Sequence, residues 1–245
     1  MVNMKKIILN QKSYLMYDEM VSFKKEFEKI KHPSYEFILF PPVHYLSLFK
    51  DSDYKVGTQN FYTYKAGSFT GEINLESLKD MGINYTLVGH YERRKFMEET
   101  YESAKEKLFK SLSSKCNTIL CVGEERKTIR PFSHIKKEIN YYLKSIESST
   151  YKYLSIAYIP SWAVGTGDKD INKVSEIITN IKNYMLSKYK IDVEVYYGGN
   201  IENSNIKELF DICDGLVLDK DSTNIKILKE LLKEILKWTP NSSHK

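Results

Sequence analysis

Residues 154–200 read LSIAYIPSWAVGTGDKDINKVSEIITNIKNYMLSKYKIDVEVYYGGN. A short apolar run, Leu154 to Tyr158, leads into a loop carrying Pro160, Gly165 and Gly167. Ile171, Val174, Ile178, Ile181 and Met185 then recur at the helical period, and Glu194 to Tyr197 returns to strand character. Continuous apolar strands joined by one-faced amphipathic helices require a parallel sheet covered by helices.

The same alternation extends in both directions. Strands are predicted at Lys6 to Asn10, Glu36 to Phe40, Lys55 to Gln59, Tyr85 to Gly89, Thr118 to Val122, Leu154 to Tyr158, Glu194 to Tyr197 and Gly215 to Leu218. Helical stripes fall between them, as at Met20, Phe23, Phe27 and Ile30, and follow the last strand at Ile225, Leu228, Leu232 and Ile235. Eight such units in 245 residues, with no linker or low-complexity run, predict an α/β fold: one closed (β/α)₈ barrel over residues 1–245. The stripes are read as the faces with which barrel helices cover strands.

With 42% apolar residues and 13% aromatics the chain can bury a sizeable core. The apolar stretch behind Lys5 and Lys6 is only Ile7 to Leu9, too short for a signal peptide or a membrane span, so no membrane partner and a cytoplasmic location are expected. Lysines are scattered among glutamates at a net charge of +5, without a basic block or stacking motif, and no nucleic-acid partner is expected. Cys116, Cys121 and Cys213 form no CxxC and are read as buried thiols. His32, His44, His134 and His244 lack metal-ligand spacing, so no metal is expected.

Chemistry in such barrels collects at the C-terminal strand ends, where the βα loops open. Strand one ends at Asn10, with Lys12 just beyond as a cation for an oxyanion or phosphate, or as plain solvated surface. Strand four ends in GHYERR, where His90 can hydrogen-bond a substrate carbonyl and Glu92 can pair with a lysine. After strand six, Pro160, Ser161, Trp162, Ala163, Val164, Gly165, Thr166 and Gly167 have the makings of a hinged lid, although Gly-Thr-Gly also suits an ordinary turn. After strand seven, Gly198, Gly199 and Asn200 let backbone amides approach an anion.

Taken together, NQK, KVGTQN, FTGE, GHYERR, CVGE, AYIPSWAVGTG, YGGN and Asp214-Gly215 resemble, in order and spacing, the triose-phosphate isomerase family over nearly the whole chain. The resemblance implies interconversion of dihydroxyacetone phosphate and glyceraldehyde 3-phosphate through an enediolate, without a cofactor, by a homodimer. It further implies that Asn10 and Lys12 bind substrate, that His90 is the electrophile, that Gly165 meets phosphate from the lid, and that Phe69 to Glu72 insert into a partner subunit.

Four departures from the family pattern surround one pocket. The residue before the lid proline, a glutamate base in the family, is Ile159 here, and an alkyl side chain accepts no proton. Loss of a positioned base costs about 10² to 10⁴ in rate. The family serine after the histidine is Tyr91, expected to fill space beside Ile159. After strand eight, Asp219 and Lys220 replace two phosphate-binding glycines, and Asn200 replaces a serine. A phosphate dianion about 5 Å from Asp219 would be repelled by roughly 6 to 7 kcal/mol at an effective dielectric of 20. Lys220 offsets this if it turns inward, or Asp219 caps the next helix. The lid's far hinge reads Asp168, Lys169, Asp170.

Three functions remain open on these residues. One is a homologue with little or no isomerase activity that binds a small molecule or serves a structural role. Another is an isomerase on a different small substrate with Asp219 as relocated base, and the last is a true isomerase using some other carboxylate.

Overall fold

The structure, a computed structural model, describes residues 4–30, 35–165 and 170–236. Eight parallel strands close into a barrel in chain order: β1 Lys5–Asn10, β2 Tyr35–Phe40, β3 Lys55–Thr58, β4 Tyr85–Val88, β5 Asn117–Val122, β6 Leu154–Tyr158, β7 Val195–Tyr197 and β8 Gly215–Leu218. Closure is made by β1 against β8, with Ile8 opposite Val217 and Leu9 opposite Leu218. The helices are α1 Tyr17–Phe27, α2 Leu75–Asp80, α3 Tyr91–Phe96, α4 Tyr101–Ser113, α5 Pro131–Leu143, α6 Ile171–Tyr184, α7 Ile206–Ile212 and α8 Ile225–Leu236.

Strand side chains alternate between two apolar layers. Ile8, Ile38, Phe40, Leu87, Ile119, Cys121, Ala157, Tyr196 and Val217 fill the barrel interior. Ile7, Leu9, Phe37, Leu39, Leu120 and Ile156 face outward against the helices, where they meet Met20, Phe23, Phe27, Ile178, Ile181, Leu228, Leu232 and Ile235. All three cysteines are buried and unbridged. Helix starts follow local chemistry: Asn74, Thr100 and Asp170 accept from the amides of Ser77, Ser103 and Lys173, and Pro131 opens α5.

Several predicted boundaries are corrected. Strands β3 and β4 stop before Gln59 and Gly89, because both residues belong to the functional loops rather than to the ladder. Helix α1 ends at Phe27, and Ile30 packs on the core from beyond it. Behind β2 the chain forms a 3₁₀ segment, Val43–Phe49, instead of an α-helix. Pro41 and Pro42 precede it, and the fourteen residues between β2 and β3 leave little room for a longer helix. Met185 opens a π-helical turn, Met185–Tyr189, at the end of α6. Among the described residues, no helix is long and apolar enough to cross a membrane.

Candidate functional site

At the C-terminal end of β1 the chain turns sharply through Lys12, whose φ of 52° lies in the left-handed region. That conformation costs a non-glycine residue about 1 to 2 kcal/mol and is held by its surroundings. Gln59, just past β3, supplies the hold: its Nε2 donates to the Lys12 carbonyl at 2.9 Å and to the Phe40 carbonyl at 2.9 Å. The side chain of Lys12 is mostly buried, so the solvated-surface reading does not apply.

The Lys12 ammonium lies 2.6 Å from Glu92 Oε1 and 3.1 Å from Asp219 Oδ2. Asn10 Nδ2 donates to Asp219 Oδ1 at 3.0 Å. Burial works against the Lys12 charge, but Asp219 and the hydrogen bond to Glu92 outweigh it and hold its pKa above the ordinary lysine value. Asp219 therefore faces the centre. Its side chain caps no helix; the following 3₁₀ turn is secured by its carbonyl, which accepts from the Ser222 amide at 2.9 Å and the Ser222 hydroxyl at 2.6 Å. Lys220 is exposed, so the inward turn that would offset Asp219 does not occur.

His90 is 5% exposed and forms the N-cap of α3. Its Nδ1 accepts from the Glu92 amide at 3.4 Å, which assigns the ring proton to Nε2 in the neutral form. Nε2 has no hydrogen-bond partner among the described residues. Burial lowers the His90 pKa, against the opposing pull of Asp219 and Glu92. The imidazole is thus a neutral donor near pH 7.

Ile159, at the end of β6, is 3% exposed and belongs to the interior layer, with Tyr91 and Val164 packed against that layer. Tyr91 fills space there, as expected, and its hydroxyl donates to Glu92 Oε1 at 3.3 Å. Burial pushes the Tyr91 pKa up to about 12, which removes it as a base near neutrality. A Cβ on Gly198 would stand 3.0 Å from Ile159 Cγ1, so the β7 glycine is what admits this side chain.

The described part of the proposed lid, Pro160 to Gly165, is a run of turns; Thr166, Gly167, Asp168 and Lys169 lie outside the described residues. Trp162 is anchored by its Nε1, which donates to Glu124 Oε1 at 3.1 Å, an oxygen shared with the Tyr158 hydroxyl at 3.1 Å. Lys127 lies over the Trp162 ring, 5.1 Å from its centroid. Ala163 is buried, Ser161 and Val164 are half-buried, and Gly165 is exposed.

A cavity of about 630 Å³ opens over the β1 to β4 ends and reaches Asn10, Lys12, His90 and Glu92, together with Gln59, Tyr62 and Glu72. Ile159, Gly165, Gly198, Gly199, Asn200 and Asp219 do not line it. Asn200 instead donates to Glu202 at 2.9 Å. The structure thus joins Asn10, Lys12, His90, Glu92 and Asp219 into one contact network and leaves the β7 glycine turn outside it. Gln59 and Glu124 have no role assigned from sequence; the available signal is that Gln59 directly follows β3 and Glu124 stands one glycine beyond β5. No group of three or more His, Cys, Asp or Glu among the described residues is placed to hold a metal.

The family model for triosephosphate isomerase matches residues 5–235. The triosephosphate isomerase of Dictyoglomus turgidum is 33% identical over 216 residues, 82% of this chain and 87% of its own. That of Dictyoglomus thermophilum is 34% identical over the same shares, and that of Alkaliphilus metalliredigens 38% identical over 166 residues, 64% of this chain and 67% of its own.

Proposed function

The chain belongs to the triosephosphate isomerase family, and from that premise we propose that it is a member with little or no isomerase turnover. The observation that carries this reading is Ile159: the position expected to hold the base presents a branched alkyl group, packed into the barrel interior under Tyr91 and Val164. Proton transfer between two carbons needs an acceptor of suitable basicity within hydrogen-bond reach. Tyr91, packed against that layer, is too weakly acidic to serve as its phenolate, and Glu92 is already bonded to Lys12 and Tyr91. His90 remains a competent neutral donor, so the electrophilic half of the site persists without its base.

The relocated-base alternative is supported by the direction of the Asp219 carboxylate, toward Asn10 and Lys12, and opposed by the engagement of both its oxygens. We further propose self-association as a homodimer through Phe69 to Glu72. Phe69 is 38% exposed, is stacked on Tyr64 at 5.1 Å, and meets Tyr62, which lines the cavity together with exposed Tyr14, Phe96 and Met97.

The test is the rate of glyceraldehyde 3-phosphate isomerisation on protein free of host isomerase, beside Ile159→Glu and His90→Ala. The expected parent rate lies at least 10² to 10⁴ below that of the relatives. Partial recovery in Ile159→Glu identifies the missing base as the main lesion. A parent rate equal to the relatives' that vanishes in His90→Ala overturns the proposal.

A further inference from the structure

Both side-chain donor groups at the end of β1 are turned to carboxylates. Asn10 Nδ2 is spent on Asp219 Oδ1 at 3.0 Å, and the Lys12 ammonium is divided between Asp219 at 3.1 Å and Glu92 at 2.6 Å. One cation between two carboxylates leaves this centre with a net negative charge while His90 stays neutral.

The backbone that carries the Asp219 carboxylate is held in place, which keeps that group beside Asn10 and Lys12. Leu218, directly before it, is paired with Leu9 in the closing ladder, and the Asp219 carbonyl is anchored by the buried Ser222 through two hydrogen bonds. The backbone of Lys12 is fixed likewise, because Gln59 clamps the Lys12 carbonyl. A group tethered by a short link has an effective concentration of about mM or more, and a preorganised one exceeds that. A free oxyanion must displace it and also meet the remaining charge of Glu92.

We propose that Asp219 is a resident, intramolecular ligand of the Asn10 and Lys12 donors, and that it excludes oxyanions from the strand-end centre and restricts that centre to uncharged hydroxyl or carbonyl compounds. The inference rests on the reading that this barrel no longer turns over a phosphorylated triose. It makes Asp219 a specificity-determining residue whose replacement creates an anion site in the same fold.

Inorganic phosphate is the probe, measured by the rise in thermal unfolding midpoint against chloride at matched ionic strength and by titration of backbone amide shifts. The variants are Asp219→Asn, Asp219→Gly and Asp219→Asn/Lys12→Met, with Asp219→Gly standing in should the asparagine form not fold. The expected result is no phosphate-specific effect in the parent at tens of millimolar. At least tenfold tighter binding should appear in Asp219→Asn or Asp219→Gly and disappear when Lys12 is also replaced. Phosphate binding by the parent that matches the variants and depends on Lys12 overturns the proposal, as does failure of both Asp219 variants to gain any. A parent that binds phosphate yet does not isomerise defeats only this inference; one that isomerises at the relatives' rate while ignoring free phosphate defeats only the reading it rests on.

Discussion

At position 159 a branched alkyl group sits beside Gly198 and inside the layer that Tyr91 and Val164 close. Ile159→Val removes one methylene from this packing and is expected to lower stability by about 0.5 to 1.5 kcal/mol, read as a urea midpoint shift at constant slope. Nearby, the His90 pKa is depressed below 6.5 by burial, so the unfolded chain takes up a proton that the folded chain refuses. This contribution is complete above about pH 6.5 and is lost as pH falls toward the lower folded value. His90→Asn should therefore make stability less dependent on pH between about 7.5 and about 5, measured by urea midpoints; an unchanged slope would mean that the imidazole is not desolvated. Ile159 was legible in the sequence because the surrounding AYIPSWAVGTG segment pins its position. The neutral state of His90 was not, because it depends on burial and on the Glu92 amide.

Among the elements, α5 ties two strand ends together. Glu138 is 5% exposed and accepts from the Gly123 amide at 3.0 Å, while Arg94, bonded to the Gly89 carbonyl, lies 3.7 Å from its other oxygen. Burial raises the Glu138 pKa to about 7, against the pull of Arg94 and the Gly123 amide. The folded chain then holds a proton that the unfolded chain releases near 4.5, so this group's contribution to stability falls as pH rises from about 4.5 to about 7. Glu138→Gln should gain stability relative to the parent across that window, and a constant difference would show that Arg94 keeps the carboxylate ionised. Gly123 itself has φ 155°, and a Cβ there would stand 2.2 Å from the Ile159 carbonyl oxygen. Gly123→Ala is expected to cost roughly 2 to 4 kcal/mol and to shift Trp162 fluorescence, because the adjacent Glu124 anchors that ring. CVGE was visible as a motif, yet its task of joining α5 to the lid's first hinge emerges only when β5 and β6 are paired.

Across the whole molecule, eight similar strand and helix units close on themselves, and one face carries the exposed aromatics of the β1, β3 and β4 loops. If the proposed dimer forms there, Phe69→Asp should weaken association roughly thirtyfold or more, about 2 kcal/mol, in sedimentation equilibrium. A parent that sediments as a monomer at micromolar concentration would remove the self-association proposal and leave the barrel intact.

By itself the sequence determined the closed barrel, the family and the absence of a glutamate before Pro160. Those properties reside in periodicity and in short motifs, where each residue is read against near neighbours. Only the tertiary structure decided where the Asp219 charge goes, that Lys220 stays in solvent, and that the cavity opens over β1 to β4 and leaves the β7 turn outside. The physical reason is separation along the chain: Asn10 and Asp219 are 209 residues apart, and a carboxylate's partner is set by barrel closure, not by local propensity.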